Sequence, residues 1–197
     1  MLDTIARLWS VEAIAVCLAV VYLILAAREN LWCWACAFVS SVLYTWVFWS
    51  VNLYMEAALN VFYVVMAVVG WWQWRKGQEE SSFGISTLHW QKHLLLLGAM
   101  LGMAACNGWL MVRFTDAAWP FVDSFTTWAS IITTFLVVRK VLENWLYWLL
   151  IDSISIWLYF DRGLYLTVLL FAVYLVIVVF GYINWRRDWL KQNTGQR

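Results

Sequence analysis

Gly70-Trp71-Trp72-Gln73-Trp74-Arg75-Lys76 is echoed far downstream by Gly181-Tyr182-Ile183-Asn184-Trp185-Arg186-Arg187. Working backwards along both copies, Tyr63 pairs with Tyr174 and Leu53-Tyr54 with Leu164-Tyr165 at the same spacing. Further back, Glu29-Asn30 pairs with Glu143-Asn144 and Trp34 with Trp148 at a slightly longer spacing, which implies a small deletion in the second copy. Every segment in both copies is long and apolar enough to cross a membrane. Many secondary transporters are built from a helical unit duplicated in lipid, with the substrate site between the copies near the midplane. Transport is the first expectation.

Composition supports the membrane reading. Hydrophobic residues make up 64% of the chain, charged residues 13%, and there are 17 tryptophans. Soluble domains carry roughly a quarter charged residues, so a water-soluble core is excluded. The near-neutral net charge, with no basic block, argues against a nucleic-acid partner. The apolar run after Ser10 is too long for a cleaved signal and lacks a small-residue cleavage site. Four cysteines scattered over apolar segments do not make a disulfide framework.

The expected fold is an all-α integral membrane protein with seven transmembrane helices, in two parallel three-helix repeats joined by a connector helix. Each apolar segment approaches the roughly 20 residues that span the hydrocarbon. The first repeat (1–76) supplies Trp9–Ala27, Leu31–Trp49 and Leu53–Trp74. A loop and connector helix (77–118) supply Leu94–Val112. The second repeat with a short tail (119–197) supplies Phe121–Val138, Trp145–Phe160 and Leu164–Asn184. Three helices end on the opposite face, so two parallel copies need one more crossing. Pro120 falls in the first turn of its helix, where a missing N–H costs least. The stretch Lys76–Lys92 reads as the longest loop.

Lysine and arginine set the orientation. One face collects Arg28, Arg75, Lys76, Lys92, Arg139, Lys140, Arg186, Arg187, Lys191 and Arg197, and the other only Arg7, Arg113 and Arg162. Cytoplasmic loops carry the excess, so the amino terminus is expected outside and the carboxyl terminus in the cytoplasm. Tryptophans at segment ends (Trp9, Trp49, Trp74, Trp119 and Trp185) fit an interfacial belt.

Polar side chains inside lipid are costly and usually face a bundle interior or cavity. Asp152 stands about 12 Å into its helix, on the stripe Trp148, Asp152, Ser155, Tyr159. The corresponding first-repeat stripe reads Trp34, Phe38, Ser41, Thr45, without a charge. A second stripe holds Asp123, Thr127, Ser130 and Thr134, and a third Glu56, Asn60, Tyr63 and Gly70. Asp123 and Glu56 are shallow enough to reach water. Thr127 and Ser130 can instead bond the carbonyl four residues back, and Asp152 can serve a neighbouring helix. Yet Ser41, Asn60, Ser130 and Asp152 fall at one depth on four helices, which suits the wall of one site. Tyr174, the partner of Tyr63, and Asn144 complete the candidate set with Trp34, Trp148 and Thr127. Aromatic faces beside a carboxylate suit a flat, cationic ligand, and the amide and hydroxyl groups suit a sugar.

Other patterns carry less. Cys33-Trp34-Ala35-Cys36 has redox spacing but lies in an apolar helix with no second ligand pair. His89 and His93 share a helical face without a third ligand, so solvated loop histidines are expected. Gly98 and Gly102 form a small-residue face suited to close helix packing or a subunit contact. No Gly-x-x-x-x-Gly-Lys-Ser/Thr motif is present, so this polypeptide is not expected to use ATP directly, and no cofactor is expected.

With these residues assembled, the chain resembles the PnuC family of bacterial vitamin transporters. The resemblance rests on Asp123-Ser124-Phe125-Thr126-Thr127, Arg139-Lys140 and Glu143-Asn144-Trp145-Leu146-Tyr147-Trp148. Asp152, Gly163-Leu164-Tyr165-Leu166-Thr167 and Gly181-Tyr182 with Trp185 extend it, and Asn60 and Gly70-Trp71-Trp72-Gln73-Trp74 complete it in the first repeat. It implies a three-plus-one-plus-three plan like that of the SWEET sugar transporters, a trimer, and a bacterial inner membrane. It also implies facilitated diffusion of nicotinamide riboside, trapped inside by a cytoplasmic kinase. Thiamine or another vitamin on the same scaffold is the alternative. Two readings from other classes compete: a membrane-embedded enzyme using Asp152 and Asp123, and a scaffold or sensor with no substrate.

Overall fold

The computed structural model describes residues 2–50, 54–79, 84–114, 119–161 and 165–194. Among them seven α-helices follow one another: α1 (Leu2–Ala27), α2 (Cys33–Ser50), α3 (Tyr54–Glu79), α4 (Trp90–Phe114), α5 (Pro120–Val138), α6 (Asn144–Asp161) and α7 (Tyr165–Thr194). Six are long and apolar enough to cross a membrane. The remaining one, α6, has the same 18 residues as α2 but carries Asn144, Asp152 and Asp161. The chain divides into two compact units, Met1–Gly84 and Ile85–Arg197. In the first, α2 packs against both α1 and α3; in the second, α4, α5, α6 and α7 pack in chain order.

Each unit is closed by the same joint. Helix α1 ends with Glu29 N–H donating to Ala26 O at 3.0 Å and Asn30 N–H to Leu25 O at 3.0 Å. Helix α5 ends with Lys140 N–H donating to Val137 O at 3.0 Å and Val141 N–H to Leu136 O at 2.9 Å. Both are Schellman turns, in which crossed bonds satisfy the last carbonyls of the helix. Their left-handed positions are held by Glu29 (φ 52°) and Lys140 (φ 50°) rather than glycine. The next helix then starts with Cys33 N–H on Asn30 O in one unit and Asn144 N–H on Val141 O in the other.

The aromatic cores match as well. Trp34 meets Trp74 edge-on at 5.4 Å and 89°, and Trp145 meets Trp185 at 5.4 Å and 88°. Both pairs are almost fully buried, so Trp74 and Trp185 are packed core residues and not part of an interfacial belt. A Cβ at Gly70 would collide with the Trp34 ring, and one at Gly181 would lie 2.7 Å from the Trp145 ring. The glycines are there so that an indole can lie on the backbone of the third helix.

These joints correct the repeat alignment. Glu29 corresponds to Lys140 and Trp34 to Trp145, at the spacing that also relates Gly70 to Gly181 and Tyr63 to Tyr174. No deletion separates the copies, and the shared Glu-Asn dipeptide does not mark equivalent positions. Aligning Trp34 with Trp148 slips the helix by about one turn, which leaves its faces nearly unchanged. In the corrected register the counterpart of Asp152 is Ser41.

The linker also differs from expectation. Helix α3 runs on to Glu79, and Ser86 forms a parallel bridge with Val141. Ser86 N–H donates to Lys140 O at 3.0 Å and Leu142 N–H to Ser86 O at 2.8 Å. Leu88 N–H donates to Glu143 Oε2 at 3.3 Å. Residues 85–89 are therefore a strap across the α5–α6 joint. Gly98 and Gly102 meet nothing within 4 Å of a built Cβ. The glycine that permits close packing of α4 is Gly108, where a Cβ would lie 2.5 Å from the Phe121 ring of α5.

Candidate functional site

Helix α6 carries the centre of interest. Asp152 is only 4% exposed. Among the described residues it has no hydrogen bond and no ion pair. One turn earlier, half-buried Trp148 packs with Tyr147, Phe125 and Ile132 against the cluster of Met100, Ala129 and Ile151. One turn later, Ser155 is buried on the same stripe. A buried carboxylate without a partner is costly in lipid. Its stabilisation has to come from a proton, water or a ligand. A carboxylate on the same helix stripe as an indole one turn away is chemistry suited to a compact cationic group.

Helix α5 supplies hydroxyls, several already engaged within their own helix. Thr127 Oγ1 donates to Asp123 O at 2.9 Å, and Thr134 Oγ1 to Ser130 O at 2.8 Å. A hydroxyl bonded this way keeps acceptor capacity for a ligand. Ser130 is buried. Asn144 is fully buried at the joint: its Nδ2 donates to Val141 O at 2.6 Å, while Oδ1 has no partner among the described residues. Tyr174 lies half-buried on α7, in ring contact with Phe171 at 5.5 Å.

In the first unit Ser41 and Asn60 are buried. Asn60 Nδ2 donates to Glu56 O at 2.9 Å, leaving its carbonyl oxygen able to accept. Tyr63 touches Phe62 at 5.6 Å. Trp34 is committed to packing on Gly70 and Trp74, though its indole N–H lacks a partner, as does that of Trp145. Cys33 and Cys36 are not joined in a disulfide, and among the described residues no cluster of three metal-ligating side chains occurs.

Three polar links carry no signature in the sequence. His93, rather than being a solvated loop histidine, lies in α4 with Nδ1 at 2.9 Å from Tyr147 OH and Nε2 at 4.0 Å from Glu143 Oε1. Asn107 Nδ2 donates to Ser124 Oγ at 3.0 Å, joining α4 to α5. Trp119, held at φ 59° before α5, donates Nε1–H to Asp161 Oδ2 at 2.8 Å and meets Trp157 edge-on at 4.9 Å. Each pairs residues far apart in sequence, so only a spaced identity, absent here, could have flagged them.

Apolar spans, a repeated three-helix plan and a buried carboxylate with no partner among the described residues fit a membrane transporter. The family model described as nicotinamide mononucleotide transporter matches residues 10–187, and the chain belongs to that family. It is similar to the riboflavin/roseoflavin transporter RibM of Streptomyces davaonensis, at 25% identity over 96% of this chain and 89% of that protein. It is also similar to the nicotinamide riboside transporter PnuC of Escherichia coli, at 25% identity over 91% of this chain and 84% of the relative. The crystal structure of the vitamin B3 transporter PnuC shares the fold, with a TM-score of 0.71, 22% identity, and coverage of 90% of this chain and 80% of that one. The protein is a transporter and not an enzyme, so Asp152 and Asp123 are not a catalytic pair.

Proposed function

We propose that this chain moves nicotinamide riboside by facilitated diffusion across a bacterial inner membrane. The observation that carries the reading is Asp152, buried and unpaired one turn from Trp148. Nicotinamide riboside bears a positive pyridinium ring, whose burial without a partner is expensive. A carboxylate and an indole face supply that partner. Thr127, Ser130, Asn144 and Tyr174 of the second unit are the proposed sources of ribose and amide contacts, and within the first unit Ser41, Asn60, Tyr63 and Trp34 are proposed as substrate-binding residues. The PnuC relatives support this substrate. A trimer, a cytoplasmic kinase that traps the product, and surrounding lipid belong to the same proposal.

A second reading has its own support: the similarity to RibM runs over nearly the whole chain, and an uncharged vitamin would not need Asp152. Titrating purified protein with nicotinamide riboside, riboflavin and thiamine separates these. Tightest binding of nicotinamide riboside, with its uptake into proteoliposomes, is the expected result. Tighter binding of riboflavin or thiamine would replace the substrate assignment.

A further inference from the structure

The two units differ where they should match. In the second, the strap at 85–89 covers the α5–α6 joint, and Lys140, Val141 and Leu142 are buried. In the first, no described segment covers the α1–α2 joint, and Asn30 and Trp32 are exposed. Position 32 is the counterpart of Glu143, which anchors the strap; here it is an indole, 64% exposed. A groove of about 390 Å³ remains, lined by Leu31, Trp32, Trp71, Arg75, Gln78 and Glu79. On its other side Arg75 and Glu79 also line a second hollow of about 430 Å³ with Trp72 and Lys76.

The lining is of two kinds. Trp32 and Trp71 meet edge-on at 5.4 Å and offer an apolar floor. Trp72 is 65% exposed, with Lys76 Nζ over its ring at 5.7 Å. Among the described residues Arg75 is tied to Glu79, at 3.4 Å with both side chains about two-thirds exposed. Such a surface pair contributes little, so the guanidinium can turn to a stronger partner, and phosphate matches its fork. These residues stand at the end of the apolar span Glu56–Glu79, the level at which indoles and basic side chains meet headgroups.

We propose that this groove, with the hollow beside it, is a binding site for an anionic phospholipid: its phosphodiester is held by Arg75, which lines both, and by Lys76 of the adjoining hollow, and its upper acyl chain is laid on Trp32 and Trp71. A soluble anion would satisfy the cations but leave the indoles in water. A neutral lipid would cover the indoles but leave the cations unused. The anionic lipid answers both.

The test compares dioleoyl-phosphatidylglycerol with dioleoyl-phosphatidylcholine, which share acyl chains, on detergent-purified full-length protein by native mass spectrometry. Each basic residue near a headgroup is expected to favour the anionic lipid about fivefold. The double variant R75Q/K76Q should bring the two lipids to near-equal retention. The control R186Q/R187Q removes the same charge from the repeat-related position and should keep the preference. No preference in the parent protein, or a preference lost equally in both variants, would overturn the site. Oligomers that break up on R75Q/K76Q without bound lipid would instead assign the groove to a second copy of the chain.

Discussion

At the scale of single residues, the corrected register makes the divergence of the two copies sharper. Ser41 and Asp152 occupy the same position on α2 and α6, both buried, and only one can carry a charge. If that charge recognises a cationic ring, Asp152→Asn should weaken binding of nicotinamide riboside by about ten- to a hundredfold, as expected for a lost charge-assisted contact. A neutral analogue with the same ribose should lose far less, because the amide keeps its shape and acceptor. Trp148→Ala should weaken both ligands, since stacking depends on ring area as well as charge. Calorimetric titration of the two variants with the two ligands checks this, and equal affinity of Asp152→Asn for the cation would make the carboxylate structural. The glycines give a separate expectation about stability. Gly181→Ala places a methyl 2.7 Å from the buried Trp145 ring, and overpacking of this kind costs about 1–3 kcal/mol. A lower melting temperature should follow, whereas Gly98→Ala, with nothing within 4 Å, should leave it unchanged.

At the scale of helices and joints, the positions of the seven helices were legible because apolar runs bounded by polar breaks mark them, six of them long and apolar enough to cross a membrane. The repeat was legible from Gly70, Trp74, Gly181 and Trp185, residues that packing makes hard to replace. Its register near the joint was not. The Schellman turns carry Glu29 and Lys140 where glycine would have marked them, so the Glu-Asn dipeptide misled by about a turn. The stripe with Asp152 survived because a slip of one turn preserves a helix face. The strap was invisible for another reason: its bonds from Ser86 use backbone groups, which leave no trace in residue identity. One side chain does take part, and it offers a test. Glu143→Ala removes the acceptor of the Leu88 N–H and the neighbour of His93. Hydrogen exchange at Leu88 should quicken, while Ser86 and Leu142, bonded through backbone, should stay protected. Unchanged protection at Leu88 would show that the carboxylate does not hold the strap.

At the scale of the whole molecule, the distribution of basic residues argues which way the chain faces. If each helix crosses in turn, Arg28, Arg75-Lys76, Arg139-Lys140 and Arg186-Arg187, near the ends of α1, α3, α5 and α7, fall on one side with Lys92 at the start of α4. The same count leaves Arg7 and Arg113 for the opposite side, with Arg162, which lies outside the described residues. The bias acts through basic residues close to span ends, where they resist translocation and meet the anionic cytoplasmic leaflet. Every pair just named lies within a turn or two of its helix end, so the asymmetry sits where it has most effect. A reporter fused after Arg197 should therefore be active in the cytoplasm. Arg162→Cys, in a chain whose four native cysteines are replaced by serine, should react with a membrane-impermeant maleimide added to intact cells. Cytoplasmic labelling only, together with an exported carboxyl-terminal reporter, would reverse the assignment. It would also move the groove beside Arg75 and Lys76 to the outer leaflet, where any headgroup it holds would have to come from a different lipid pool.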